Sequence, residues 1–337
     1  MNELVDFYSE KTILVTGCAG SIGSEIVRTL LKFNPKVIRV FDINESGLFE
    51  LEQELKSEKI RLFIGDIRDK DRLKRAMEGV DIVFHADALK HVPLCEYNPF
   101  EAVKTNVIGV QNLIDVALDE EVEKFITIST DKAVNPTNVM GATKLLAERI
   151  TIAANLYKGR RAIAFSVVRF GNVLNSRGSL LPLIKEQIKK GGPVTLTDPQ
   201  MTRFIMSMND AINLVLKAGM LAKGGEIFIL KMPAIKILDL IEVAVEELAP
   251  KYSHNPESIS IEIVGKRPGE KLFEELMTGE EAMNAKELED MYIVYGEKIY
   301  NKENNLDYSQ TVSYNSENTK HLTKEEIKNM LRKIGYI

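Results

Sequence analysis

A chain of 337 residues is long enough for a large core, and for one big domain with a smaller lobe. Hydrophobic residues at 45% and charged residues at 28% give a soluble globular balance, and a net charge of −5 excludes nucleic acid as the main partner. Two cysteines, Cys18 and Cys95, build no disulfide framework, no apolar run approaches the ~20 residues of a membrane span, and the N-terminus lacks a signal-peptide pattern. A soluble, cytoplasmic protein is expected.

Met1 to Glu10 reads as a short lead-in helix. Lys11 to Thr16 is an apolar strand, followed at once by Gly17-Cys-Ala-Gly20-Ser21-Ile22-Gly23 and then by helical spacing through Ile26, Val27, Leu30 and Leu31. Strand, glycine turn and helix in that order cradle a pyrophosphate: Gly17, Gly20 and Gly23 let the backbone come close, while Ser21 and Ile22 open a helix whose N-terminus carries partial positive charge. A second strand, Lys36 to Phe41, ends in Asp42, about 20 positions on, where a carboxylate accepts hydrogen bonds from ribose hydroxyls. It would repel a 2′-phosphate, and no Lys or Arg lies between Val40 and Leu55, so NAD is favoured over NADP. Asp42 could instead cap the helix over Glu45 to Leu55, or do both.

A third strand, Ile60 to Ile64, leads to Asp66 and Ile67, placed to read adenine. Lys70 to Met77 is helical and Val80 to His85 is a fourth strand. In the stretch after it, Ala86 and Ala88 are small enough for the backbone to pass close to the cofactor, and Lys90 is a candidate contact to cofactor or anionic substrate. His85 and His91 lack metal-ligand spacing and read as structural, so no metal site is assigned. Pro99 to Glu120 is a long amphipathic helix carrying Asn106, a further candidate at the cofactor. Phe125 to Ile128 is a buried strand that gives way to Thr130-Asp131-Lys132, a hydroxyl, a carboxylate and an amine in sequence. Open α/β sheets hold ligands at such carboxyl ends. After the Asn135-Pro136 turn, a helix from Gly141 aims Lys144 at the same crevice, and Ala162 to Arg169 is a sixth strand. This is an α/β chain with a doubly wound parallel sheet.

Beyond Val173 the rhythm breaks. Helices are expected at Leu180–Lys190, Asn209–Lys217 and Ile235–Glu247, strands at Pro193–Thr197, Glu226–Leu230 and Ile259–Val264, and a loop at Gln200–Ile205. Residues 1–173 form the nucleotide-binding domain, completed by about 206–232; 174–205 and 233–299 form a smaller substrate-binding lobe. Tyr300 to Asn318 is poor in aliphatics and reads as an extended arm latching a neighbouring subunit of a homo-oligomer. Thr323-Lys-Glu-Glu326 is a capping box opening a last helix that ends near Gly335.

Thr16-Gly-x-x-Gly-x-x-Gly23, Asp66-Ile-Arg68, His85 to Pro93, Ser129-Thr-Asp-Lys-Ala-Val-Asn-Pro136, Gly141-Ala-Thr-Lys144, Arg169-Phe-Gly-Asn-Val173 and Arg267-Pro-Gly-Glu270 together resemble the extended short-chain dehydrogenase/reductases. Within them the chain is similar to the nucleotide-sugar 4,6-dehydratases that act on UDP-N-acetylglucosamine for surface polysaccharides and glycans. The resemblance implies a Rossmann-type domain that binds NAD and a UDP-sugar. Hydride leaves sugar carbon 4, Lys132 removes the proton on carbon 5, Asp131 protonates the departing 6-hydroxyl, and hydride returns to carbon 6. Asn172, Arg177, Arg203, Arg267 and Glu270 become candidates for the substrate, the arginines because guanidinium forks match phosphate oxygens.

Two positions depart from the pattern. Met140 occupies the slot of the superfamily tyrosine in Tyr-x-x-x-Lys, and losing a positioned acid–base group costs roughly 10²–10⁴-fold. Thr130, Asp131 or a water held by Lys144 would then accept the hydroxyl proton. A methionine here resembles one dehydratase branch, which includes larger membrane-anchored relatives. Asp87 stands where relatives carry a small residue, and could disfavour a phosphate, tune the site or face solvent. Other readings are an inverting 4,6-dehydratase that epimerises carbon 5, a nucleotide-sugar 4-epimerase and a non-catalytic NAD-binding protein.

Overall fold

The computed structural model describes residues 2–174, 176, 180–296 and 312–337. Six strands arise where the apolar runs put them: β1 (Thr12–Thr16), β2 (Val37–Asp42), β3 (Ile60–Ile64), β4 (Ile82–His85), β5 (Lys124–Thr130) and β6 (Ala164–Phe170). All pair in parallel, in the spatial order β6-β5-β4-β1-β2-β3. Every residue of β1 and β6 is buried, as a strand covered on both faces requires, whereas the edge strand β3 keeps Arg61 and Leu62 exposed. One face packs on helices Ser21–Leu31 and Met208–Leu221 through Ile26, Leu30, Val215 and Leu216. The other packs on helices Lys70–Met77, Val110–Asp119 and Val139–Tyr157 through Leu73, Leu113, Ile114 and Ala147.

The remaining strands are β7 (Asn172–Val173), β8 (Val194–Leu196), β9 (Thr202–Met206), β10 (Glu226–Leu230), β11 (Ala234–Lys236), β12 (Ile261–Ile263), β13 (Glu275–Met277), β14 (Ala285–Glu287), β15 (Met291–Tyr295) and β16 (Tyr314–Asn315). β10 continues the sheet beside β6, and β15 and β14 close that edge antiparallel, making nine strands. The expected substrate lobe therefore loses 285–295 to the main sheet; Met291, Ile293 and Val294 are the buried residues that draw β15 in. The second lobe is built from the β11-β9-β7 sheet, the β8–β12 pair and helices Leu180–Lys189, Ile237–Leu248 and Lys324–Lys333 around a separate core. The expected loop at 200–205 is instead β9, all of whose residues are buried.

One other expectation changes. The long helix over 99–120 is broken by a π-helical turn, Lys104–Gly109, and a side chain at Gly109 would meet Ile67 at 2.6 Å. The described part of the arm, 312–318, packs on its own chain. β16 pairs with β13, the Tyr314 hydroxyl exchanges hydrogen bonds with the Met232 backbone, and the final helix, with its Thr323–Glu326 capping box, buries Ile327 and Leu331 in the second core. Arg169 near the end of β6 pairs with Glu148 at 2.7 Å and Glu281 at 2.9 Å, tying the helix that carries Lys144 to the segment beyond β13.

Candidate active site

The first βα turn is shaped for close approach. Gly17 has φ +74, and a Cβ there would lie 2.7 Å from the backbone of Ala86 and Asp87. A Cβ on Gly23 would lie 2.3 Å from the Gly17 carbonyl oxygen, so the helix start sits directly on the turn. Its N-cap, Gly20, offers no side-chain acceptor. Asp42 is buried; Oδ2 accepts from the Ala19 N–H at 2.8 Å and Oδ1 from the Asn44 N–H at 2.9 Å. It pins the glycine turn to the end of β2, while Asn44, not Asp42, caps the next helix by accepting from Gly47 N–H. Each Asp42 oxygen keeps lone-pair capacity for a ribose hydroxyl. Asp66 pairs with Arg68, which holds its carboxyl below the usual range, and Ile67 is buried beside it.

Asp87 is partly buried. Burial, with Asp42 and Asp66 nearby, pushes its carboxyl up to about 6 against the pull of Lys144 and Arg68. Asn106 is buried and bonded to its own chain. Its Oδ1 accepts from the Leu89 N–H at 2.8 Å, and its amide donates to the Leu89 carbonyl and to Thr143 Oγ1, so it fixes the loop carrying Ala86, Ala88 and the exposed Lys90. His85 is buried and hydrogen-bonded to Thr16 at 2.8 Å; burial, with Lys144, takes it down to about 3, so it is neutral.

At the end of β5 the chain turns through a short 3₁₀ segment, Asp131–Ala133. Thr130 Oγ1 donates to Asp131 Oδ1 at 2.8 Å and Lys132 Nζ donates to the same oxygen at 2.9 Å. Asp131 is fully buried, and its Oδ2 has no hydrogen-bond partner among the described residues. Gly171 lies against this oxygen, since a Cβ there would stand 3.2 Å from it. The helix Val139–Tyr157, capped by Asn138, starts against the same turn: a Cβ on Gly141 would meet the Lys132 carbonyl at 2.3 Å. It delivers Lys144, whose Nζ donates to the Ile128 carbonyl at 2.6 Å; burial lowers it to about 8, against Glu148 and Asp87. Met140 is buried with Cys95 and Ala102 in a small apolar cluster. The tyrosine slot is therefore filled by packing and supplies no proton carrier.

The substrate side brings corrections. Arg203 is buried and donates to the carbonyls of Thr202, Leu272 and Lys271, so its guanidinium is turned inward rather than toward a pyrophosphate. Arg177 lies outside the described residues. Glu270 accepts from the Arg267 N–H at 3.1 Å, closing its own turn and leaving the Arg267 side chain exposed. Asn172 is partly buried on β7 beside Ile205. The turn is held over the segment after Asp131, where Thr137 and Asn138 donate to the Gly269 carbonyl and Lys271 Nζ donates to the Val134 carbonyl at 2.8 Å.

One residue was missed. Glu274, buried, brings Oε1 to 3.7 Å from Lys132 Nζ and 3.8 Å from Arg203 Nε, and its Oε2 is unpartnered among the described residues. Burial and Asp131 push its carboxyl up, against Lys132, Arg203 and Lys271. For Lys132, burial acts to lower the amine, but Asp131 and Glu274 outweigh it and raise it. The available signal was register: Glu274 lies two residues before the buried Leu276, a carboxylate on the inward side of an extended run.

A doubly wound sheet with a glycine cradle after β1 and a buried lysine on the helix after β5 defines a Rossmann-type short-chain dehydrogenase/reductase, and the cradle, Asp42 and Lys144 fit a dinucleotide. Residues 13–296 match the polysaccharide biosynthesis protein family and 295–337 match its C-terminal family, and the chain belongs to this family. It is 72% identical over 335 residues, 99% of each chain, to an uncharacterized membrane protein of Methanocaldococcus jannaschii. It is 42% identical to a UDP-N-acetylglucosamine 4,6-dehydratase (inverting) of Campylobacter jejuni, over 85% of this chain and 83% of that one. A UDP-glucose 4-epimerase of Rickettsia conorii is 38% identical over 98% of each. The X-ray structure of Pen from Bacillus thuringiensis superposes with a TM-score of 0.92 at 44% identity, covering 98% of this chain and 99% of that one. The dTDP-glucose 4,6-dehydratase DesIV of Streptomyces venezuelae, solved with NAD and TYD bound, shares the fold at 24% identity and a TM-score of 0.69, over 77% of this chain and 86% of that one. Among the described residues no helix is long and apolar enough to cross a membrane.

Proposed function

We propose that the protein is a nucleotide-sugar 4,6-dehydratase that converts UDP-N-acetylglucosamine to a UDP-4-keto-6-deoxy sugar, with NAD rather than NADP, for surface polysaccharide or glycan synthesis. The observation that carries this reading is Asp131: buried, bonded through one oxygen to both Thr130 and Lys132, with the other oxygen bare. NAD⁺, which Gly17, Gly20, Gly23, Asp42 and Lys144 would hold, would supply the hydride acceptor for carbon 4 and the hydride donor for carbon 6. Asp131 Oδ2 takes the 4-hydroxyl proton that Met140 cannot take. The 4-ketone acidifies carbon 5, Lys132 removes that proton, and Asp131 gives its proton to the 6-hydroxyl as water leaves. Elimination across two carbons needs an acid and a base side by side, which a bare epimerase does not. Thr130 steadies the carboxylate, and Lys144, with a lowered proton affinity, fits the nicotinamide ribose. The carboxylates Asp42 and Asp87 support NAD by opposing a 2′-phosphate. Arg267 is the remaining described arginine for the UDP pyrophosphate.

The test is to incubate the purified protein with UDP-N-acetylglucosamine and NAD⁺ and weigh the product. Loss of one water supports the dehydratase. An isomer of unchanged mass, from this substrate or from UDP-glucose, would support the 4-epimerase reading, which the full-length similarity to the Rickettsia relative favours. Retention or inversion at carbon 5 uses the same groups, and proton NMR of the product in D₂O reads it.

A further inference from the structure

The dehydratase reading, on which this inference rests, leaves one proton unaccounted for. Lys132 is held as an ammonium by its contact with Asp131, yet to remove the carbon-5 proton it must be a free amine. Once Asp131 has been neutralised by the 4-hydroxyl proton, the other carboxylate within ion-pairing distance of Lys132 among the described residues is Glu274, 3.7 Å away. Glu274 is shaped for this task. Its backbone N–H is held by Ser316 Oγ at 3.0 Å, and Ser316 N–H donates back to the Glu274 carbonyl at 2.8 Å, so the segment is clamped on both sides. One carboxylate oxygen faces Lys132 and Arg203, and the other is buried without a partner, which calls for an explanation in a folded protein. A cavity of about 10 Å³, lined by Lys132, Lys271, Glu274, Thr137, Asn138 and Gly269, adjoins the pair.

We infer that Glu274 is a positioning residue for the Lys132 proton, accepting it before elimination and returning it after. The balance closes. Asp131 gains the 4-hydroxyl proton as hydride leaves carbon 4. The Lys132 ammonium passes a proton to Glu274 and becomes an amine. The amine takes the carbon-5 proton while Asp131 protonates the 6-hydroxyl, and the carbon–oxygen bond at carbon 6 breaks with loss of water. Hydride adds to carbon 6, Lys132 returns a proton to carbon 5, and Glu274 restores the ammonium. No external acid, base or oxidant beyond the cofactor is needed.

The experiment compares wild type, Glu274→Gln and Glu274→Asp as full-length protein with NAD⁺ and UDP-N-acetylglucosamine, following nicotinamide reduction by absorbance and water loss by mass. The inference expects Glu274→Gln to reduce the cofactor at the wild-type rate but to dehydrate roughly 10²-fold or more slowly, so that reduced cofactor accumulates. Its dehydration should also rise with pH, as solvent takes over deprotonation of Lys132, and Glu274→Asp should recover part of the rate. Dehydration by Glu274→Gln at the wild-type rate and pH profile overturns the inference. So does parallel loss of cofactor reduction and dehydration with a lowered Tm, the mark of a residue that only packs. A wild type that neither reduces the cofactor nor dehydrates overturns the functional reading and this inference with it, whereas the first two failures leave that reading standing.

Discussion

Two groups share one oxygen of Asp131, and the other oxygen is buried without a partner among the described residues. Asp131→Asn keeps the size and loses the proton acceptor, so turnover should fall by roughly 10²–10⁴-fold with cofactor reduction lost as well, in contrast to Glu274→Gln. Thr130→Val removes one hydrogen bond to the carboxylate, an effect of about 0.5–1.5 kcal/mol, and should slow turnover several-fold. An unchanged rate would remove the threonine from the account. Met140→Tyr would push a ring into the Cys95–Ala102 cluster and should lower stability by about 1–3 kcal/mol without raising the rate. Asp87 sets a pH dependence. Its carboxyl is raised to about 6 from an unfolded value near 3.9, so the fold is favoured by it at low pH and loses that contribution as pH rises through about 6. Asp87→Asn should therefore raise Tm at pH 8 and not at pH 4, and should tighten NAD binding at pH 8; calorimetry and titration read both.

At the level of elements, the geometry of the candidate site is set by three close approaches: the end of β6 to the Asp131 turn at Gly171, the Lys144 helix to the same turn at Gly141, and the π-helical turn to Ile67 at Gly109. Arg169 then locks the helix to the segment beyond β13 through the buried Glu148 and the partly buried Glu281. Arg169→Met leaves Glu148 and Glu281 without their cation and should lower stability by about 3–5 kcal/mol in a denaturant titration. Much of this was legible in the chain. Continuous apolar runs located the six parallel strands, the glycine spacing located the tight turn after β1, and the Thr-Asp-Lys run and Lys144 come together at the end of β5 as their spacing suggested. What was not legible depends on distant partners. Asn106 sits on an apolar helix face and reads as ligand-facing, but only folding brings Leu89 and Thr143 to occupy it. A free guanidinium and an inward-turned one look alike in sequence, as Arg203 demonstrates.

Across the whole molecule, residues far apart in sequence meet at Lys132. The Rossmann-type sheet supplies Asp131 and Lys132, the segment before β13 supplies Glu274, and the C-terminal segment supplies Ser316, which is fully buried against it. Met291–Tyr295 joins the main sheet beside β10 from beyond the second lobe; its apolar, strand-favouring run announces a strand but not which sheet edge it joins. The central claim is that a hydride borrowed from carbon 4 lets Asp131 and Lys132 strip water from the sugar. Mass spectrometry of UDP-N-acetylglucosamine incubated with NAD⁺ and either wild type or a doubly neutralised Asp131→Asn, Lys132→Met protein tests it most directly. One water lost with wild type and none with the variant is the expected result; water loss that persists in the variant would contradict it.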